Sequence, residues 1–400
     1  MGDDGERMMA RRFRFQPPAL AMTAELRWVL LRAFAPVGDA ATFPVDLAAA
    51  VALARRLGLS ARIGARIRPA AELAGAAASD AALAHDTVAA AVAQMQGREA
   101  AGEIADAAAE VALGCCFLKG VALEAMGLLS GGSRPLGDVD VLVPAAAAAT
   151  LESVLLRRGF ARASGEEYPH HLAPLLHPRL GAVEIHRHLP GVALPEARRF
   201  ADFDGLAAAG WLECWPAGGA AAWLPRRPLL VAHLLAHALA QHGFRPGAYP
   251  AMRVLADLID LGLADETGVE LIESALALVA RWVPPAEARA ARAVCGALVR
   301  GEVSLLSDDG EPALLLRHLV AGTLDERYAE ALKLQELSYP VSDRSRVGGW
   351  LAVGWQAVAL SRAQIDRIYG KPRHPWGYLG RWLLRPFDLA RRGARALRRR

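Results

Sequence analysis

A short run near the middle of the chain, Gly137-Asp138-Val139-Asp140-Val141-Leu142-Val143, constrains the fold more than any other feature. Its β-branched composition predicts a strand, and the strand period of two places Asp138 and Asp140 on one face. Two carboxylates with Cα atoms about 6–7 Å apart repel each other by roughly 2–3 kcal/mol at an effective dielectric constant near 20. A cation between them removes this cost, and oxygen ligands favour Mg²⁺. The alternative is a solvated strand end with two exposed acids.

The segments on either side of this run strengthen the metal interpretation. Upstream, Phe117-Leu118-Lys119-Gly120 leads into a helical stretch, which is followed by a turn of small residues, Ser130-Gly131-Gly132-Ser133-Arg134-Pro135. Downstream, Ala182-Val183-Glu184-Ile185-His186 alternates as a half-buried strand does, with Glu184 and His186 on one face. Glu184 on a strand beside the aspartates would complete a set of three carboxylates.

Together these segments resemble the bacterial uncharacterised nucleotidyltransferase family, a branch of the polymerase-β-like nucleotidyltransferase superfamily. The resemblance runs from about residue 25 to about residue 265 and is carried by Leu118-Lys119-Gly120, Ser133-Arg134, the Gly137 to Val143 run, His171 to Pro174, Val183 to His186, His237, His242 and Arg253 to Asp257. The superfamily usually has a Gly-Ser pair nearer to its Asp-x-Asp motif. In this chain Lys119-Gly120 stands in that place.

The resemblance implies an α+β fold, with a small mixed β-sheet nucleotidyltransferase domain flanked by N- and C-terminal helical regions. It implies transfer of a nucleoside monophosphate from an NTP, expected to be ATP, to an acceptor hydroxyl with release of pyrophosphate. Asp138, Asp140 and Glu184 would be the catalytic residues and the ligands of two Mg²⁺ ions, with Mn²⁺ as an alternative. Glu184 would also activate the attacking hydroxyl.

Four residues are expected to bind the nucleotide phosphates: Lys119, Gly120, Ser133 and Arg134. Gly120 would let backbone N–H groups approach the phosphates, and Lys119 would neutralise them. Arg134 would donate a forked pair of hydrogen bonds to a phosphate. The alternatives are a tight strand-to-helix turn at Gly120 and a solvated surface arginine at Arg134.

Four further residues are expected to support the site from outside: His171, His186, His237 and Asp257. His186 and His188 would share the strand face of Glu184, which leaves a zinc site as an alternative. The chain has no His-Glu-x-x-His motif to support zinc hydrolase chemistry. His233 and His237, four residues apart on an apolar helix, fit core histidines as well as ligand contacts.

Composition and pattern divide the chain of 400 residues into five predicted parts. They are a disordered N-terminus (1–22), a helical region (23–110), the catalytic domain (111–195), a second helical region (196–340) and a basic, aromatic-rich tail (341–400). The four cysteines form no zinc or disulfide spacing, and no signal peptide is evident, so a cytoplasmic location is expected.

The tail is the most basic part of the chain. From residue 371 to the C-terminus it contains ten Lys or Arg residues and one acid, Asp388, although the whole chain has a net charge of only +4. Arginines alternate with Trp, Leu and Tyr between Trp376 and Arg392, a pattern typical of helices that contact anionic membranes or polyanions such as RNA. For this chain, the expected membrane surface is the inner membrane face. A helix packed on its own domain is the alternative.

The acceptor is left open by the sequence: a small molecule, a peptide or protein side chain, or RNA. Two other functions fit the same residues. One is an accessory tailoring enzyme of a peptide natural-product cluster. The other is a non-catalytic, antitoxin-like protein that binds a nucleotide for regulation. Intact Asp138, Asp140 and Glu184 favour turnover over loss of catalysis.

Overall fold

The computed structural model confirms an α+β protein with a mixed sheet and many helices. It describes residues 17–36, 45–67, 77–163, 170–195, 197, 200–216, 222–241, 251–304, 310–326, 328, 372, 374 and 376–385. Residues 1–16 of the predicted disordered segment therefore lie outside the described residues. The arginine-rich end of the tail, residues 386–400, also lies outside them. Leu20 and Met22, from the remainder of the predicted N-terminal segment, pack half-buried against the core.

In the described part of the chain, four helices precede the sheet: α1 (Ala24–Phe34), α2 (Leu47–Arg56), α3 (Ser60–Ile67) and α4 (Ala77–Glu110). Helix α1 begins where the Thr23 hydroxyl accepts the N–H of Leu26, an N-cap that satisfies one of the unpaired donors of the first turn. Helix α4 is 34 residues long and contacts both α3 and the sheet. Its alanines allow this close approach, because small side chains bring the helix backbone near its neighbours.

Seven strands form one sheet in the order β3-β4-β5-β2-β1-β7-β6. Their bounds are β1 (Cys115–Phe117), β2 (Asp138–Leu142), β3 (Ala161–Arg162), β4 (Leu175–His177), β5 (Gly181–His186), β6 (Leu212–Cys214) and β7 (Ala222–Pro225). Helix α5 (Lys119–Ala125) follows β1, and a 3₁₀ turn (Ala145–Ala147) with helix α6 (Ala148–Arg157) follows β2.

The parallel pairing of β2 with β5 sets the geometry of the predicted site. Asp140 lies directly opposite Glu184, Leu142 lies opposite His186, and Asp138 lies opposite Ala182. Val139, Val141, Val183 and Ile185 are all nearly inaccessible to solvent. The buried valine and isoleucine face thus fixes the register, because a slip by one residue would move this apolar set to the polar face.

The structure corrects the prediction that the chain is helical from residue 196 onward. After α7 (Phe203–Ala208), strands β6 and β7 form an antiparallel pair, and β7 extends the sheet by pairing in parallel with β1. These strands contain three and four residues, which is too short for a period-two pattern to be recognised in the sequence.

Helices dominate the rest of the described chain. They are α8 (Arg227–Leu235), a π-helical segment (Ala236–Gln241), α9 (Ala251–Asp260), α10 (Gly268–Val279), α11 (Pro285–Val299), α12 (Glu311–Leu324) and α13 (376–385). Within the described residues, no helix combines the length and apolar character that crossing a membrane requires.

The turn before β2 depends on one glycine. Gly132 has a φ of +77°, and a Cβ atom there would lie 2.6 Å from the carbonyl oxygen of Thr87 in α4. We expect Gly132→Ala to lower the free energy of unfolding by roughly 1–3 kcal/mol. An alanine would be strained in this left-handed backbone conformation, and its Cβ atom would also clash with the carbonyl oxygen of Thr87. Gly131→Ala is the matched control, since Gly131 is exposed and a Cβ atom there meets nothing within 4 Å. Urea unfolding of both variants tests this, and equal stabilities would contradict it.

Candidate active site

Asp140 lies at the centre of the site. Its side chain is 2% exposed, and its Oδ1 atom accepts hydrogen bonds from Lys119 Nζ at 2.8 Å and from His186 Nε2 at 2.9 Å. Burial alone would raise the pKa of Asp140, but the charges and hydrogen bonds of Lys119 and His186 hold that pKa well below its usual range. Asp140 is therefore a permanently ionised carboxylate inside the protein.

Lys119 is the first residue of α5, and its backbone φ is +46°, a region that residues with a Cβ atom rarely adopt. Its side chain is buried. Burial would lower the pKa of its ammonium, but the charges of Asp140 and Asp138 more than offset this effect, so the net shift is upward. A strained backbone conformation that holds a buried cation against a buried carboxylate is typical of a functional site.

Glu184 and His186 on β5 complete the group. His186 Nε2 lies 3.7 Å from Glu184 Oε2, and ligand atoms of Asp140, Glu184 and His186 all lie within 4.8 Å of one another. Burial and the charge of Asp140 raise the pKa of Glu184. The charge of Asp140 also raises the pKa of Asp138. Crowded carboxylates of this kind favour a bound cation, which would lower both pKa values.

The donor set fits a divalent metal, although its composition differs from the predicted one. The structure brings together Asp140, Glu184 and His186, whereas the exposed Asp138 at the start of β2 is not part of that close group. Because Oδ1 of Asp140 already accepts two hydrogen bonds, a metal ion would reach this residue most directly through Oδ2. The metal role of Asp138 stays a prediction.

The residues expected to bind phosphate lie beside this group, and each already has a protein partner. Ser133 Oγ donates to the carbonyl oxygen of Ser130 at 2.7 Å. Arg134 is buried and forms an ion pair with Asp257, with Nε and Oδ1 2.7 Å apart. Gly120 lies against that guanidinium, since a Cβ atom there would be 2.1 Å from Arg134 Nη1. The structure thus joins Gly120, Arg134 and Asp257 in one contact. Phosphate binding by Lys119, Gly120, Ser133 and Arg134 stays a prediction.

The histidines expected around the site surround β5. His171 pairs with His186 across an isolated bridge, and its Nδ1 lies 2.6 Å from the carbonyl oxygen of Leu172. The ring of His170 lies 4.6 Å from that of His171 and 6.3 Å from that of His188. Burial lowers the pKa of His170 to about 3, so this imidazole is neutral. His237 is half-buried on the π-helical segment, and His242 lies outside the described residues.

His233, which by sequence could be a core histidine or a ligand contact, lies near Lys119, His186 and Asp140. It is 1% exposed on α8, and neither of its ring nitrogens has a hydrogen-bond partner among the described residues. Burial, followed by the charges of Lys119 and His186, lowers its pKa to about 3. The π-helical turn that follows α8 is a feature frequent at functional sites. A histidine on an apolar helix gives no sequence signal that separates this position from an ordinary core histidine.

Comparison with protein families gives a match over residues 44–266, more than half of the chain, to the family described as uncharacterised nucleotidyltransferase. The chain belongs to this family. The matched range contains β1 to β7, the acidic group and helix α9, so the family assignment covers the whole candidate site. The protein is accordingly a nucleotidyltransferase enzyme. Searches of curated proteins and of solved structures found no match.

The burial of His233 predicts a pH-dependent stability. Between about pH 6.5 and pH 3 the unfolded imidazole binds a proton that the folded one does not, so stability falls as the pH is lowered. The contribution of His233 between pH 7.5 and pH 5 is about 2 kcal/mol. His233→Leu should remove it, so that urea unfolding gives a smaller loss of stability over this interval than in the parent. A parent–variant difference that is the same at both pH values would contradict the assignment.

Proposed function

We propose that this nucleotidyltransferase transfers a nucleoside monophosphate from an NTP to an acceptor hydroxyl and releases pyrophosphate, with Mg²⁺ as the expected metal and ATP as the expected nucleotide. The observation that carries the proposal is the buried acidic group on β2 and β5, where Asp140 and Glu184 lie opposite each other on parallel strands. Two ions remain the expected number. Mn²⁺ remains the alternative, because carboxylate oxygens suit both Mg²⁺ and Mn²⁺.

Each residue of the group would have a separate task. Asp140 is fixed by Lys119 and His186, so it is preorganised as a metal ligand. Asp138 is exposed at the edge of the site, where an incoming nucleotide can reach it together with its metal. The bound metal would supply charge neutralisation at the α-phosphate and the pyrophosphate leaving group.

Glu184 is the candidate base. Its side chain is 26% exposed, so an acceptor can reach it, whereas Asp140 is almost fully enclosed. Glu184 also lies directly opposite Asp140 on the neighbouring strand, which places it beside the expected metal and the reacting phosphate. Glu184 would accept the proton of the acceptor hydroxyl as that oxygen attacks the α-phosphorus and the bond to pyrophosphate breaks.

The two alternative functions differ in whether the acidic group catalyses a reaction. An accessory enzyme that tailors a peptide natural product would perform the same transfer on a peptide acceptor, so it differs only in the acceptor. A regulatory, antitoxin-like protein would bind a nucleotide without turnover. The buried Lys119–Asp140 ion pair favours turnover, because buried charges of this kind are costly to keep for binding alone.

The position of a radioactive label in the NTP, on the α-phosphate or on the γ-phosphate, tests the reaction class. With Mg²⁺, a lysate as the source of acceptors and each NTP in turn, we expect label from the α-phosphate to appear on an acceptor and label from the γ-phosphate to leave as pyrophosphate. Asp138→Asn with Asp140→Asn should abolish the transfer, and Glu184→Gln should slow it by roughly 10²-fold or more. An acceptor labelled from the γ-phosphate but not from the α-phosphate would make the protein a kinase and contradict the proposal.

For the tail, we propose peripheral contact with an anionic membrane at its cytoplasmic face, or with another polyanion. Helix α13 exposes Trp376, Leu379, Leu383 and Leu384, which are between 49% and 80% accessible. Trp376, Leu379 and Leu383 are spaced to share one helix face, and Arg381 and Arg385 lie about half a turn away from it. This arrangement supports a helix that lies at a surface of opposite charge.

Removal of residues 376–400 tests the tail without touching the acidic group. We expect the full chain to sediment with anionic vesicles at low salt and to be released near 1 M salt, where the Debye length is about 3 Å. The truncated chain should stay in the supernatant and keep its nucleotide binding. Equal sedimentation of both proteins would refute a tail-borne surface, and binding to RNA but not to vesicles would select a nucleic acid as the partner.

A further inference from the structure

Two similar ion pairs join helix α9 to the rest of the molecule. Arg134 donates through Nε and Nη2 to the two carboxylate oxygens of Asp257 at 2.7 and 3.0 Å. Arg62 of α3 donates through Nη1 and Nη2 to the two oxygens of Asp260 at 2.7 and 2.8 Å. None of the four side chains is more than 14% exposed. The pairs are alike in geometry and burial, so any functional difference between them must come from their surroundings.

Only the first pair borders the acidic group. A Cβ atom on Gly120 would lie 2.1 Å from Arg134 Nη1 and 2.9 Å from its Cζ, so the guanidinium rests on the glycine backbone beside Lys119. The charge of Asp140 raises the pKa of Asp138, and the charges of Lys119 and Arg134 oppose this rise. Arg62 instead donates through Nε to the carbonyl oxygen of Ala33 in α1.

The chemistry of the guanidinium indicates what Arg134 would bind. It is permanently charged, and its planar fork matches a carboxylate or a phosphate oxygen pair. Asp257 holds the edge formed by Nε and Nη2, and Nη1 is turned toward Gly120 at the beginning of α5. A guanidinium held by a carboxylate in this way keeps its orientation when an anion approaches, which reduces the entropy lost on binding.

We propose that Asp257 is a positioning residue that holds Arg134 in place to bind the phosphates of the nucleotide beside Asp138, an inference that rests on the proposed function. Helix α9, distant in sequence, would thus contribute to nucleotide affinity through Arg134. Gly120 would be required because a side chain there would displace the guanidinium.

Both ion pairs line one shared recess, whose lining includes Arg62, Arg134, Asp257 and Asp260. The contact between Arg134 and Gly120 is therefore what distinguishes the two pairs.

The two ion pairs provide a matched test. Asp257→Asn and Asp260→Asn each remove one charge from a buried pair on the same helix, so both should lower the midpoint of thermal unfolding. Calorimetry with the Mg²⁺ complexes of ATP, GTP, CTP and UTP then separates them. We expect Asp257→Asn to raise the Kd of the best-bound complex by about tenfold or more, because the forked contact loses its orientation. Asp260→Asn should raise that Kd much less, because Asp260 holds Arg62 and not Arg134, and its charge acts on Arg134 without a direct bond.

A double-mutant cycle distinguishes positioning from a general loss of structure. If Asp257 acts through Arg134, Asp257→Asn should have no further effect on the Kd in an Arg134→Ala background. Additive effects, or equal rises in Kd for the Asp257 and Asp260 variants, would overturn the proposal. Should Asp257→Asn not fold, Arg134→Lys and Arg62→Lys replace the two variants, and only Arg134→Lys should raise the Kd. A parent that binds none of the four nucleotides would overturn the proposed function as well, whereas unaltered binding by Asp257→Asn would overturn the positioning role alone.

Discussion

A buried carboxylate held between two cationic or hydrogen-bonding side chains is the interaction on which the rest of this site depends. Asp140 accepts from both Lys119 and His186, and without these partners an ionised carboxylate at this depth would be strongly unfavourable. The sheet supplies the geometry: β1 leads directly to Lys119, β2 carries Asp140, and β5 carries Glu184 and His186. Three adjacent strands therefore converge on one oxygen atom.

The same constraint explains why residues distant in sequence meet here. Lys119 reaches Asp140 because its backbone adopts a left-handed conformation at the beginning of α5, and Gly120 leaves room there for Arg134. Arg134 is in turn tied to Asp257 on α9. Buried charges of opposite sign are paired in two places: Asp140 pairs with Lys119, and Asp257 pairs with Arg134. Each buried charge has an opposite charge beside it, as buried ionic groups require.

Much of the fold and the site could be predicted from sequence because the informative signals are local. The alternation in Asp138–Leu142 and in Ala182–His186 fixes two strands and the shared face of their polar residues. Their parallel pairing is a tertiary fact that only the structure shows. Sequence could not show that Lys119 bonds to Asp140, that Arg134 is paired with Asp257, or that His233 is enclosed near the site, since each depends on contacts across many residues. Strands β6 and β7 were missed because runs of three or four residues carry almost no periodic signal.

The central claim is that Asp140 and Glu184, with Asp138 at the edge, hold a divalent metal ion together with a nucleotide. Anomalous diffraction from crystals grown with Mn²⁺ and a non-hydrolysable ATP analogue tests it most directly, because the scattering peak locates the ion independently of any acceptor. The account predicts a peak at coordination distance, about 2.0–2.6 Å, from oxygens of Asp140 and Glu184, next to the phosphates. A peak among His170, His171 and His188, or a bound nucleotide with no ion at Asp140, would contradict it.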